Sequence, residues 1–567
     1  MKYNSSERTG LGWILLALCF AAPWLIPVHS DPWTTLYSEV IAGLAVSVLA
    51  VWVILLHSTR LEFDALSVGF ALAAMIPLLQ ALGGLFAFPG EAPIVSVYLL
   101  GFAVAVATAR WCEVERPGRL PDALFCGLVV AALASTALAL AQWLQLDWGP
   151  LLAPVAVGTR SMANVGQANE LSTLLVWGLV GLWWSNSRRS IGGAVTFLAA
   201  AALLLGVAST QSRTGWLGVG LLLVFGILSP RPLKTTRYRA AFVALGVWFL
   251  ALVLGWTEAT ATIGAGGAEG LDSRLTSGRR PEIWALMIDG ISHRPWFGYG
   301  WNQGRLVQVT ELPNYAHVKI SIQHAHNLVL DLMVWNGVPL GLALAAFLGA
   351  WFWWQLRSTA TESQALLLLG LAVFVMHCFL ELPHCKAFFL APAALMMGLL
   401  NAHAGLPALI RVPRSASVAL VSAISGFLIV VWMDYRALEL DQQSHRLRAA
   451  WLGTQSSAPA PDTHVLRALQ AALFNLRIKP RPGMELEQIE QLRLNSVRYP
   501  TEFTLRRYAM AAALNGQPAA AKEALWARCM LFSREPCDGA HLLRSALESE
   551  HTSSHAQAAP SSTDVRP

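Results

Sequence analysis

Residues 121–145 read PDALFCGLVVAALASTALALAQWLQ, and this stretch carries a single charged side chain, Asp122. A helix needs about 20 mainly apolar residues to cross a bilayer, so this stretch is typical of a transmembrane helix. Similar apolar stretches, bounded by charges, Pro or Gly, recur along the chain. They lie at 11–28, 37–57, 64–86, 93–110, 169–185, 191–209, 213–229, 240–256, 328–355, 364–381, 386–401 and 416–433. The sequence therefore predicts an all-α polytopic membrane bundle of about 12 to 13 transmembrane helices.

The composition agrees with a membrane protein that also carries a soluble part. The 567 residues are 55% hydrophobic and 13% charged, against roughly 25% charged in soluble domains. From Asp434 onward the charged fraction rises, and no apolar stretch is long enough to span a bilayer. We predict membrane helices in 1–256, a large polar loop in 257–327, membrane helices in 328–433, a soluble helical domain in 434–550 and a disordered tail in 551–567.

The distribution of Lys and Arg predicts the orientation of the bundle, because short cytoplasmic loops carry an excess of both. Alternate loops hold Lys2, Arg8, Arg60, Arg110, Arg116, Arg119, Arg188, Arg189, Arg231, Lys234, Arg237, Arg239, Arg357, Arg411 and Arg414. The opposite short loops hold Arg160, Arg213 and Lys386. We therefore expect a cytoplasmic N-terminus, with the 257–327 loop and the C-terminal domain on the outer side. In a Gram-negative bacterium the outer side is the periplasm, and the protein would then lie in the inner membrane.

The remaining compositional signals concern partners and redox state. The net charge of +6 follows from this topological bias, and the soluble part has no basic stripe interleaved with aromatics, so we expect no nucleic-acid partner. Cys529 and Cys537 would lie on the oxidising side, where they either pair or stay as free thiols. Their spacing alone does not decide between the two.

Polar residues collect at the predicted outer edge of the membrane, where they are costly unless they have a partner. The segments are Arg160–Glu170, Gln211–Trp216, Arg279–Trp284, His324–Asn327 and Glu381–Lys386. Each has a simple structural explanation by itself, such as helix capping, an Arg reaching the lipid headgroups or an interfacial helix. Arginines at several such sites with a histidine, all on one side, instead indicate a site that binds an anionic group.

The residue types indicate the chemistry of this site. Arg is permanently charged and binds phosphate oxygens with two parallel hydrogen bonds. The membrane-borne phosphate with chemistry to offer is a glycan linked to a polyprenyl diphosphate. Arginines would stabilise the leaving diphosphate, and a histidine would activate an acceptor hydroxyl as general base. His324 and His326 are two residues apart and lack the i, i+4 spacing of a zinc pair, so we expect neither metal nor cofactor.

These motifs resemble the O-antigen ligase/O-antigen polymerase superfamily, and within it the bacterial O-oligosaccharyltransferases that glycosylate Ser or Thr of pilins and other periplasmic proteins. The segments similar to the protein-glycosylating branch are His29–Tyr37, Pro77–Gln80, Gln142–Leu144 and Asn164–Gln167. The segments similar to the shared core are Ser212–Trp216, Arg280 with Trp284, and His326–Asn327 through Gly341.

The resemblance implies roles for individual residues. Arg213 and Arg280 would bind the diphosphate of an undecaprenyl-linked glycan, and His326 would be the catalytic histidine. Gln167 and Asn164 would help to place the substrate. Arg279, Asn327 and Glu381 complete the expected substrate-binding set. The partners implied are this glycan donor, a pilin-like or periplasmic acceptor protein and the lipid bilayer.

Two departures from the family pattern leave the acceptor open. Ala168 and Glu170 stand where the family often has Pro and His, and Glu381–Lys386 replaces its Glu-Tyr-Pro segment. The acceptor could instead be lipid A-core sugar, as in O-antigen ligases, or another repeat unit, as in polymerases. A transporter whose arginines bind substrate during passage is the remaining alternative, although the sequence lacks the internal repeats typical of one.

The soluble part has its own helical pattern. Apolar and polar residues alternate at helical spacing in 463–476, 485–498, 502–515 and 518–532, and this resembles tetratricopeptide-type hairpins. Such a domain would either hold an acceptor protein or cap the membrane domain.

Overall fold

The computed structural model describes residues 5–56, 60–155, 159–228, 236–264, 278–312, 314–315, 318, 322–450, 460–475 and 477–533. The predicted tail at 551–567 lies outside these residues. In the described part of the chain, ten helices begin before the 257–327 loop, called the central loop below. They are α1 (Ser5–Ala21), α2 (Leu36–Leu56), α3 (Ala65–Ala73), α4 (Met75–Leu82), α5 (Ala92–Glu115), α6 (Arg119–Trp143), α7 (Ala168–Ser187), α8 (Gly193–Thr210), α9 (Arg213–Leu228) and α10 (Thr236–Thr262).

The rest of the described chain is also helical. The further helices are α11 (Arg280–His293), α12 (Gly304–Glu311), α13 (Leu328–Ser358), α14 (Glu362–Cys378), α15 (Ala387–His403), α16 (Arg414–Ala449), α17 (Arg467–Asn475), α18 (Leu486–Arg498), α19 (Glu502–Leu514) and α20 (Pro518–Phe532). Two short strands, β1 (Arg60–Phe63) and β2 (Ile410–Pro413), pair antiparallel. They were not predicted, because four residues between apolar stretches carry too little strand pattern.

Each predicted apolar stretch coincides with helix, which confirms the all-α membrane bundle. The described residues contain eight segments long and apolar enough to cross a membrane, together with four shorter apolar helices. The stretch at 64–86 is divided into α3 and α4 at Ala74. Pro77 in the first turn of α4 has no N–H to donate to the carbonyl of Ala73, which favours a break at this point.

Small residues bring the membrane helices together, as is common where helices pack within a bilayer. A Cβ atom on Gly178 of α7 would lie 2.4 Å from the Cβ of Ala132 in α6. A Cβ on Gly398 of α15 would lie 2.2 Å from the carbonyl oxygen of Val106 in α5. These close approaches fix α7 and α15, whose N-terminal ends lie at the candidate site.

Helix α13 is broken at Gly337, and the break holds the central loop in place. Gly337 has φ of +77°, a conformation that favours glycine. The loop at Pro295–Trp301 lies in the break, where the backbone N–H of Tyr299 donates to Val334 (2.8 Å) and that of Val338 donates to Pro295 (2.6 Å). These bonds join α13 to the Pro295–Trp301 segment. They thereby also restrain His324 and His326, which lie just before α13 in the chain.

The C-terminal helices α17 to α20 follow the predicted pattern closely. The predicted boundaries at 256/257 and 433/434 lie inside α10 and α16, so both helices continue beyond their apolar stretches. Arg498 of α18 forms an ion pair with Glu91 ahead of α5 (2.9 Å), which joins these helices to the membrane part. The tetratricopeptide-like arrangement stays a prediction. Cys529 is disulfide-bonded, so the free-thiol alternative is wrong for this residue. Cys537 lies outside the described residues, and whether it is the partner stays open.

Candidate active site

The carboxylate of Glu381 brings together residues from four separate parts of the chain. Arg280, at the start of α11, donates from Nη2 to Glu381 Oε1 (2.6 Å) and from Nε to the carbonyl of Leu380 (3.0 Å). Nδ1 of His326, just before α13, lies 2.8 Å from Glu381 Oε2. Asn169, in the first turn of α7, donates from Nδ2 to Oε1 (2.8 Å). Glu381 itself lies in the turn between α14 and α15.

The charges around Glu381 keep it ionised. Its side chain is 8% exposed, and burial alone raises the pKa of a carboxyl group. The hydrogen bond from His326, the electrostatic interaction with its ring and the positive charge of Arg280 outweigh burial and lower the pKa of Glu381 to about 2. A carboxylate facing Nδ1 favours the tautomer with its proton on that nitrogen. Nε2 is then the ring nitrogen that can accept a proton from another group.

The backbone on either side of His326 is held firmly. His326 has φ of +53°, a left-handed conformation that persists in a non-glycine residue only where its surroundings enforce it. The N–H of Ala325 donates to Asp331 Oδ1 (2.7 Å), and its carbonyl accepts from Trp284 Nε1 (2.9 Å). The side chain of Asn327 accepts from two N–H groups of α13, at Val329 and Leu330. Asn327 is thus the N-cap of α13.

Under the catalytic role that the family resemblance implies for His326, we expect Asp331→Ala to lower the transfer rate by about tenfold to 100-fold, because a small misplacement of a catalytic group has an effect of this size. Removal of the carboxylate leaves the buried N–H of Ala325 without its acceptor. Asp331→Asn keeps an oxygen at this position and should recover much of the rate. Both variants are compared in kcat, in KM for the donor and in thermal unfolding. A wild-type kcat in Asp331→Ala would contradict this positioning role.

Arg213 lies close to the same centre. A Cβ atom on Gly278 would lie 3.6 Å from Arg213 Nη2, so the guanidinium packs against the segment that leads into Arg280. The neighbouring Ser212 donates from its hydroxyl to Asn169 Oδ1 (2.8 Å), and Asn169 in turn bonds Glu381. Arg213 also begins α9, and the N-terminus of a helix favours an anion. The structure therefore places Arg213 and Arg280 at one site.

The remaining residues singled out from the sequence have different positions. Arg279 is exposed beside Arg280, and Gln167 is half-buried at the start of α7. Asn164 is 1% exposed, and its amide bonds the backbone of Ala153, Leu25 and Leu151. Asn164 therefore ties the backbone at Leu151 and Ala153 to that of Leu25. Its role in placing the substrate stays a prediction.

Asn169 was missed by the sequence reasoning, although it lies in the quoted Arg160–Glu170 segment. An amide in the first turn of a membrane helix needs a hydrogen-bonding partner. That requirement is the feature of the sequence from which a role for Asn169 could have been predicted. Its partners, Ser212 and Glu381, lie 43 and 212 residues away in the chain.

The two segments that depart from the family pattern, one with Glu170 and one with Lys386, are in direct contact. The buried carboxylate of Glu170 forms an ion pair with Lys386, whose side chain is 19% exposed. A buried charge is costly unless it is paired. Lys386 therefore neutralises the buried charge of Glu170, and both residues belong to the segments that differ from the family pattern.

A second cluster of polar side chains lies near His326 and contains His324, Asp331, His384 and Cys385. His384 Nε2 lies 3.2 Å from Asp331 Oδ2, and Cys385 Sγ lies 3.9 Å from Nδ1 of the buried His324. Within the described ranges, no three His, Cys, Asp or Glu side chains are arranged to hold a metal ion.

The sequence of the chain is similar to those of known proteins. Residues 198–345 match a family model described as O-antigen ligase, and residues 365–539 match one described as virulence factor membrane-bound polymerase, C-terminal. A general O-oligosaccharyltransferase of Acinetobacter baylyi is 29% identical over 527 residues, which cover 89% of each chain. A ComP-specific O-oligosaccharyltransferase of the same organism is 29% identical over 43% of this chain and 44% of its own. The chain is therefore similar to the O-antigen ligase family over residues 198–345, and to an O-oligosaccharyltransferase over most of its length.

Proposed function

We propose that the protein transfers a glycan from an undecaprenyl diphosphate carrier to Ser or Thr hydroxyls of a periplasmic or pilin-like protein. The observation that carries this proposal is the Glu381 carboxylate, which bonds His326 and Arg280 at the same time. A candidate general base and a candidate phosphate ligand are thereby held side by side. The names of the two relatives, both O-oligosaccharyltransferases, support the reaction class.

In the proposed reaction, Arg213 and Arg280 bind the diphosphate of the donor. Two of the five N–H donors of Arg280 are used by Leu380 and Glu381, so the other donors of its guanidinium remain for phosphate oxygens. Positive charge at this position stabilises the negative charge that develops on the leaving diphosphate.

His326 acts as the general base in the proposed reaction. Its Nε2 removes the proton of the acceptor hydroxyl, whose oxygen attacks the anomeric carbon of the first sugar. The bond between that carbon and the phosphate oxygen breaks, and the carrier leaves with the electron pair. A single displacement of this kind inverts the anomeric configuration. Glu381 keeps the imidazole in the required tautomer and stabilises its protonated form, as the acid of a catalytic triad does.

The proposed location is the bacterial inner membrane, with the site and helices α17 to α20 on the periplasmic side. The asymmetry of Lys and Arg between alternate loops supports this orientation. Helices α17 to α20 would hold the acceptor protein next to His326. Ligation to lipid A-core sugar and chain polymerisation remain the alternatives for the acceptor.

The test is a transfer assay with purified full-length protein, lipid-linked oligosaccharide and a pilin-like acceptor in detergent with EDTA. We expect a glycan-sized mass gain on the acceptor by intact-mass spectrometry, at the same rate with and without the chelator. Transfer only to lipid A-core, or growth of the donor chain, would assign the protein to the ligases or the polymerases. If no acceptor is modified, the proposal is wrong and the transporter alternative returns.

A further inference from the structure

A cavity of about 520 Å³ lies beside the candidate active site, at the outer ends of α6, α8 and α10. Pockets for small ligands typically measure about 300–1,000 Å³. Two Trp rings and several polar side chains line this cavity, including Trp143, Trp148, Gln145, Asp147, Ser161 and Gln211. The mechanism described above uses none of these residues.

Gln211 gives the clearest sign that the cavity has an occupant. Its side chain is 6% exposed, and within the described part of the chain no donor reaches its buried Oε1. A buried acceptor without a partner costs about 1–3 kcal/mol, so such a group calls for an explanation. Gln211 lines the cavity, so a small rotation of its amide would bring Oε1 to a ligand hydroxyl bound there, which would supply the missing donor.

The wall of the cavity is already ordered. Gln142 accepts hydrogen bonds from the N–H groups of Met162 (3.0 Å) and Ala163 (2.7 Å) and donates to the carbonyl of Ala153 (3.1 Å). Trp143 donates from Nε1 to Thr260 Oγ1 (3.1 Å). A ligand that enters such a prepared site loses less free energy to ordering the protein.

The turn that carries Trp148 forms the rim of the cavity. Asp147 accepts the N–H of Gly149 (2.7 Å), and the Trp148 ring beside it is 42% exposed. An exposed aromatic ring next to a carboxylate suits a sugar, whose C–H face packs on the ring while its hydroxyls bond the oxygen atoms.

The charge of the cavity favours a neutral ligand. Among the described residues that line it, Asp147 is charged and no Lys or Arg is present. A phosphate or an anionic lipid headgroup would require cations there. Amide, hydroxyl, carboxylate and indole groups together are the lining expected for a neutral polyhydroxyl compound.

The position of the cavity relates it to the donor. Gln211 is two residues before Arg213, and the intervening Ser212 is linked through Asn169 to Glu381. If Arg213 binds the diphosphate, the sugar attached to that diphosphate would lie next to Gln211. We propose that this cavity binds the sugar at the diphosphate end of the donor glycan, with Gln211 Oε1 accepting a sugar hydroxyl and Trp148 packing on the ring. This inference rests on the proposed function.

The test compares the affinity of two lipids for the full-length protein in lipid nanodiscs. The first is the native lipid-linked glycan from the producing bacterium, and the second is the polyprenyl diphosphate that remains after the glycan is removed. We expect wild type to bind the glycan-bearing lipid at least tenfold more tightly. Gln211→Leu and Trp148→Ala should each lower this preference to about twofold or less, while the affinity for the bare lipid stays at the wild-type value.

Trp296→Ala is the matched control, because Trp296 is an exposed Trp (71%) of the central loop and does not line the cavity. It should keep the full preference for the glycan. Equal affinities of the two lipids for wild type, or an undiminished preference in both cavity variants, would overturn the inference. So would a loss of preference in Trp296→Ala equal to that in Trp148→Ala. Failure of wild type to bind even the bare lipid would instead contradict the proposed function on which the inference rests.

Discussion

His326→Asn is expected to lower kcat for glycan transfer by about 10²- to 10⁴-fold, the contribution typical of a general base. Asn is the informative substitution because His326 has φ of +53°, a conformation that Asn adopts more readily than most residues. The loop should therefore keep its shape while it loses the imidazole. Since the diphosphate is bound by the arginines in the proposed reaction, KM for the donor should change by less than about threefold.

The control for this experiment is a histidine elsewhere in the central loop. His293 ends α11, and its side chain is 58% exposed and bonded to Glu311. His293→Ala should keep kcat within about twofold of wild type, as is usual for a change at the surface away from the site. If His326→Asn transferred glycan at the wild-type rate, the histidine would lose its proposed role. If KM rose and kcat stayed unchanged, His326 would bind substrate without taking part in the chemistry.

The helices could be predicted from the sequence because the signal for them is local. An apolar stretch such as 121–145 is long enough to indicate a membrane helix by itself, and α6 covers Arg119–Trp143. The break of α13 at Gly337 was not predicted, although Gly337 and Pro339 were both visible in the sequence. It depends on the Pro295–Trp301 loop, which reaches α13 from outside the helix. Contacts of this kind leave no periodic pattern.

The site was predictable in part for a related reason. Arg213, Arg280 and His326 stood out because charged or polar side chains at the edge of a bilayer need a reason to be there. Glu381 was expected to bind substrate, and that role stays a prediction. In the structure it contacts His326 and Arg280, which lie 55 and 101 residues away in sequence. No spacing rule joins residues so far apart, so the grouping of these side chains could be learned only from the fold.

Glu381→Ala is expected to lower kcat by about 10³-fold or more, because loss of the acid in a catalytic triad has an effect of about 10⁴-fold. The substitution removes the acceptor of both His326 and Arg280, so the imidazole loses its orientation and the guanidinium loses its anchor. Glu381→Gln keeps the shape of the side chain but removes its charge, and its amide oxygen can accept from one of the two. It should therefore lie between Glu381→Ala and wild type in kcat. A value of kcat for Glu381→Ala within tenfold of wild type would contradict this role.

The stability of the same variants should depend on pH. The pKa of Glu381 is lowered from 4.5 to about 2 in the folded protein. A carboxylate with a lowered pKa stabilises the fold above its unfolded value, and this contribution is lost as the pH falls through the window between the two values. The difference in Tm between wild type and Glu381→Gln should therefore be full at pH 7 and become smaller below about pH 4.5. Glu523→Gln, at an exposed position of α20, is the control and should leave Tm close to the wild-type value at both pH 7 and pH 3. A Tm difference at pH 3 equal to that at pH 7 would mean that the contacts of Glu381 stabilise the fold through its shape and not through its charge.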